Sequence, residues 1–127
     1  MTRKLTLPLL AAIAMAGCAT PDDPSVEHGP QNTIAYLVPV ESSEPGAKVE
    51  VNYKLVGTTP LTIKVFGDRD GTFHNFGNDE YIVRAYPPSD RQFPQTKIFR
   101  TGAFSIKDDQ IPKKIFFQFD SAGEKPK

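Results

Sequence analysis

From Thr33 onward the chain sets apolar and polar residues against each other in short bursts. Val49, Val51, Tyr53 and Leu55 take every second place, with Glu50, Asn52 and Lys54 between them. Period two sends successive side chains to opposite faces, so the run predicts one half-buried strand. Leu61, Ile63 and Val65 alternate with Thr62 and Lys64 in the same way. Thr33 to Val40 and Tyr81 to Tyr86 are strand-like through β-branched and aromatic residues, and Pro87-Pro88 ends the second run by removing two ladder donors. Thr96 to Arg100 and Ala103 to Ile106 flank Gly102 as a hairpin, and Lys114 to Asp120 places Ile115, Phe117 and Phe119 on one face. No window from Thr33 onward supports an amphipathic helix longer than a turn or two. Seven such runs within 33–120 predict an all-β domain, a small antiparallel β-sandwich, with a small barrel as the alternative. Residues 121–127 read as a disordered tail.

The first residues follow another rule. Arg3 and Lys4 precede an apolar stretch, Leu5 to Ala16, broken only by Thr6 and Pro8. As a helix it would span roughly 18 Å against a hydrocarbon core of about 30 Å, too short to cross and suited to the h-region of a signal peptide. It ends in Met15-Ala16-Gly17-Cys18, which resembles the lipobox of bacterial lipoproteins, with Met15 at a place usually held by Leu. The resemblance implies a signal peptide over 1–17, cleavage before Cys18, and diacylglycerol (hence palmitate) on the Cys18 sulfur. Cys18 is the only cysteine, which excludes an intrachain disulfide and a cysteine zinc cluster. Lipidation would also protect an exported free thiol from mispairing. Ala19 stands where an Asp would resemble an inner-membrane retention signal, so the resemblance points to the outer membrane in a diderm cell. Ala19 to Gln31 holds three prolines, one glycine and three acids, and 18–32 reads as the lipidated Cys and a flexible tether with His28 solvated.

Charge narrows the partners. Fifteen basic and fifteen acidic side chains give zero net charge, so there is no electrostatic footprint for nucleic acid. Removing 1–17 takes away Arg3 and Lys4 and no acid, which leaves −2 and no electrostatic pull toward anionic lipid. Membrane association would then rest on the acyl chains.

Within the domain, Ser43-Glu44-Pro45-Gly46-Ala47 precedes the Val49 strand and Val56-Gly57-Thr58-Thr59-Pro60-Leu61-Thr62-Ile63 follows it. That order resembles the PEGA domain, a small β-sandwich module of prokaryotic envelope and surface proteins, over roughly Val40 to Val65. Pro45-Gly46 suits a turn, Gly57 suits positive φ, and Pro60 suits the start of a strand. After Val65 the chain departs from the family's tight turn and inserts Phe66 to Asp79. The resemblance implies an envelope-facing binding or structural module and brings no catalytic residues.

The insertion concentrates the unusual chemistry. Asp68 and Asp70 are spaced like the opening of a calcium loop, with Asp79 at the twelfth place, but Phe73 occupies the sixth place where the turn needs Gly. Asp68, Asp70 and Asp79 are therefore the candidate metal ligands, and Asp-Gly turn chemistry is the simpler explanation of the acids. Phe73 and Phe76 either fold back to cap one end of the sandwich or, with His74, present a binding loop to an envelope protein or glycan. Catalysis lacks parts: the domain holds one His, no Cys and no Gly-x-Ser-x-Gly elbow, and Asp108-Asp109 reads as a turn. The expected function is thus a membrane-anchored, non-enzymatic envelope module without a cofactor. The alternatives are a calcium-stabilised binding module and a small inhibitor of an envelope hydrolase.

Overall fold

The computed structural model describes residues 25–102 and 107–119. The signal segment, Cys18, the expected strand Ala103–Ile106 and the tail lie outside those residues. The described chain is all-β, with seven strands: β1 (Ile34–Ser42), β2 (Lys48–Val51), β3 (Lys54–Thr58), β4 (Leu61–Gly67), β5 (Glu80–Tyr86), β6 (Gln95–Arg100) and β7 (Ile115–Phe117). Among the described residues helix is limited to single 3-10 turns at Pro30–Asn32 and Lys107–Asp109.

Two sheets form a sandwich, one ordered β4-β1-β7 and the other β3-β2-β5-β6. Val38, Val40, Ile63, Val65, Ile115 and Phe117 from the first meet Val49, Val83 and Ala85 from the second in one core. Alternation selects these residues: on β4, Ile63 and Val65 are buried while Thr62 and Lys64 are exposed. On the last strand Ile115, Phe117 and Phe119 are all buried, as their spacing predicts.

Two expectations are corrected. The sandwich is not wholly antiparallel, because β1 and β7 pair in parallel through Val40↔Ile115, Glu41↔Phe116 and Ser42↔Phe117. The Val49–Leu55 run is not one strand but a hairpin, β2 with β3, turning at Asn52 (φ 48) and Tyr53 (φ 68). Positive φ at both central residues is the hairpin geometry that follows strand twist. The Asn52 amide donates to Ile82 O (2.8 Å) and its side-chain oxygen accepts from Ile82 N (2.9 Å), which fixes the turn to β5. Tyr53 and Leu55 consequently face solvent, 70% and 64% exposed, instead of the core. Gly46 (φ +92) and Gly57 (φ +154) take the positive φ expected of them, and Pro60 sits just before β4.

Candidate functional site

The insertion is built by short ladders. β4 extends to Gly67, so the loop proper runs 68–79. Gly71 N donates to Asp68 O (3.0 Å) and Asp68 N to Thr72 O (2.8 Å), closing a turn at Asp70-Gly71. Beyond it, Phe73 N donates to Asp109 O (2.9 Å) and Gly102 N to Phe73 O (3.1 Å), tying the loop to the segment after β6. These bonds aim the Phe73 ring into the sandwich. It is 1% exposed, with ring centroids 4.8 Å from Tyr81 and 5.0 Å from Phe99. Burial beside it pushes the Tyr81 phenol up to about 12.

The three aromatic candidates therefore separate. Phe73 is core and leaves the binding surface. Phe76 is 46% exposed and meets His74 edge-on at 4.6 Å. His74 lies between, its Nδ1 2.7 Å from Asp68 Oδ1 and its Nε2 3.0 Å from Gln31 Oε1. With both ring nitrogens engaged, the imidazole acts as a clasp between the loop and the segment before β1.

The three carboxylates also separate. Thr72 Oγ1 donates to Asp70 Oδ1 at 2.7 Å, with Asp68 Oδ2 3.3 Å away, while Asp79 Oδ1 accepts from Asn75 Nδ2 at 3.0 Å. Among the described residues no group of three or more His, Cys, Asp or Glu is placed to hold a metal ion. The calcium-loop spacing is turn chemistry here: Asp70 closes over the Thr72 amide (3.2 Å), as an Asx side chain does. Burial first, and then the Asp70 and Asp68 carboxylates, raise the Tyr36 phenol against the opposing Gly71 backbone.

The chain before β1 is the part that sequence reasoning missed. Of the expected tether over 18–32, residues 27–32 are fastened to the domain. Ala35 N donates to Glu27 O (2.9 Å), His28 bridges Ile34, and Lys64 Nζ meets Glu27 Oε2 at 2.7 Å. Arg69 Nη2 donates to Asn32 Oδ1 (3.0 Å). Gly29 passes so close to the sheet that a Cβ there would lie 2.3 Å from Phe66 Cδ1 and 2.6 Å from Thr33 Oγ1. Composition hides this, because each contact uses a backbone group or a polar side chain and Gln31 (φ 55) takes a conformation its residue type does not announce.

The chain matches no known family model, no characterised protein and no solved structure. Among the described residues no helix is long and apolar enough to cross a membrane.

Proposed function

We propose that the chain is a bacterial envelope lipoprotein, anchored by lipid on Cys18, whose β-sandwich is a non-enzymatic binding or structural module of the envelope. The observation that carries this reading is the N-terminal pattern: Arg3-Lys4, a short apolar stretch, and Ala16-Gly17 before the only cysteine. The resemblance of Val40 to Val65 to the PEGA domain supports the module, since its Pro-Gly and Gly-x-Thr-Pro-Leu elements lie at turns flanking β2 and β3. In a diderm cell, Ala19 after the anchor favours the outer membrane.

The arm at Glu27 adds a geometric consequence. Eight residues separate Cys18 from Glu27, nine steps along the chain with a reach of at most about 30 Å, so the anchor would hold the domain close to the headgroups. The arm contacts His74 through Gln31, and His74 contacts Phe76, so that exposed aromatic adjoins the arm. Crosslinking and pull-down from intact envelopes test the reading, comparing wild type with Cys18→Ser and Phe76→Ala. The wild type should fractionate with membrane and capture an envelope protein or glycan. Cys18→Ser should leave the membrane fraction. Membrane association undiminished by Cys18→Ser would overturn the anchor, and no envelope partner in the wild type would overturn the module.

A further inference from the structure

The outward face of the β4-β1-β7 sheet carries apolar side chains and the arm together. Along β1, Val38 and Val40 are buried in the core, so Leu37, Pro39 and Glu41 point out. Phe116 points out beside Glu41, between the buried Ile115 and Phe117. Leu37 is 68% exposed and Phe116 is 42% exposed. Thr62, Lys64 and Phe66 are the outward residues of β4, in register with Pro39, Leu37 and Ala35. Of all these positions only Glu41 is acidic, and Lys114 Nζ holds it at 2.6 Å. Lys114 also lies over the Phe116 ring, 5.8 Å from its centroid.

The arm lies on the same face. Lys64 Nζ meets Glu27 Oε2, and Gly29 passes against Phe66. The bridge His28↔Ile34 is antiparallel, so the chain followed back from Thr33 runs beside β1 in the direction of Leu37, as far as Ser25. Seven steps separate Ser25 from Cys18, a reach of at most about 25 Å. The outward face of the other sheet lies farther off. Rounding two sheets about 10 Å apart, with side chains on both outer faces, takes roughly 20 Å and spends nearly all of that reach. That far face also presents Glu50 beside Arg84 and Glu80 beside Arg100, although Leu55 and Ile98 are exposed there.

We propose that the outward face of β4-β1-β7 rests on the bilayer surface, with Leu37, Pro39 and Phe116 among the lipid headgroups. The proposal rests on the lipid anchor at Cys18 and adds the orientation that the anchor imposes. Leu37 and Phe116 are too few to hold a free domain on a bilayer, but tethering supplies an effective concentration on the order of millimolar, so that a weak contact persists. Lys64 and Lys114 lay their aliphatic stems along the same surface and keep their ammonium groups at headgroup level. The contact is apolar, and so needs no net charge to draw the domain toward anionic lipid.

The chain has no tryptophan, so a single substitution reports one position. The lipidated full chain, purified from native membranes, is inserted into phosphatidylcholine vesicles with or without bromine on the acyl chains. Emission from Leu37→Trp and from Phe116→Trp should fall about twofold or more in brominated vesicles, since interfacial side chains reach the boundary of headgroup and acyl chain. Emission from Ile98→Trp, a similarly exposed control on the other sheet, should be unchanged. Adding Leu37→Asp to the Phe116→Trp chain should abolish its quenching while the chain stays on the vesicles. Equal quenching at Ile98, no quenching at Leu37 and Phe116, or quenching that survives Leu37→Asp would overturn the orientation and leave the anchor standing. An emission shift in Leu37→Trp that grows with the density of chain on the vesicle and ignores bromine would overturn it too, and assign the face to a second copy. A chain that does not float with the vesicles would overturn the anchor, and this orientation with it.

Discussion

Phe73→Ala separates the two fates open to the loop aromatics. The Phe73 ring is 1% exposed and packs on Tyr81 and Phe99 at 4.8 and 5.0 Å. Burying such a ring contributes about 1.5–3 kcal/mol by transfer, and truncation adds the cost of a cavity and of lost ring contacts. The expected loss is about 3–5 kcal/mol, a large share of the roughly 5–15 kcal/mol that holds a domain together. Phe76, 46% exposed and touching His74 by an edge, should cost less than about 1 kcal/mol on truncation. Urea unfolding followed by far-UV circular dichroism and tyrosine fluorescence measures both, since the chain has no tryptophan. With a slope of about 1–2 kcal/mol per molar, the midpoint of Phe73→Ala should fall by roughly 2–3 M and that of Phe76→Ala should barely move. Equal losses in the two variants, or a loss below about 1 kcal/mol at Phe73, would refute this assignment of core and surface.

Gly29→Ala should force the arm off Phe66, costing about 1–3 kcal/mol and opening residues 27–33 to proteolysis, because its Cβ would lie 2.3 Å from a ring carbon. An arm cleaved no faster than in the wild type would contradict the docking. Tyr81 makes stability fall at alkaline pH. Its folded value of about 12 exceeds the unfolded 10.0, so the full contribution is present below pH 10 and is lost as pH rises toward 12. The loss should be about 2–3 kcal/mol in denaturant melts between those limits, and a Tyr81→Phe variant should lack that part of it. Asp68→Ala and Gln31→Ala should each loosen the His74 clasp, and amide exchange of the arm should rise in both; an unchanged rate would dismiss the clasp.

What could be read in advance follows from where the information resides. β4 and the last strand are legible because burial on one face imposes period two, and the turns at Pro45-Gly46 and Asp70-Gly71 carry their own chemistry. The β2–β3 hairpin is not legible, since Asn52 and Tyr53 are two residues and a two-residue turn leaves the alternation intact across it. A bulky residue at positive φ is held by the Asn52 contacts to Ile82, a long-range cause. The parallel partner of β1 is equally remote in sequence. Phe73 and Phe76 are the same residue three apart, and only the bonds from Phe73 to Asp109 and Gly102 decide which enters the core. The arm has no apolar period at all, so its attachment appears only once the loop is folded beside it.

The proposed lipid anchor on Cys18 is tested most directly at the mature N-terminus. Tandem mass spectrometry of the N-terminal peptide, from chain purified out of native membranes, reads it in one measurement. The first residue should be Cys18, with diacylglycerol on its sulfur. An unmodified Cys18, or a chain that begins at any other residue, would contradict it.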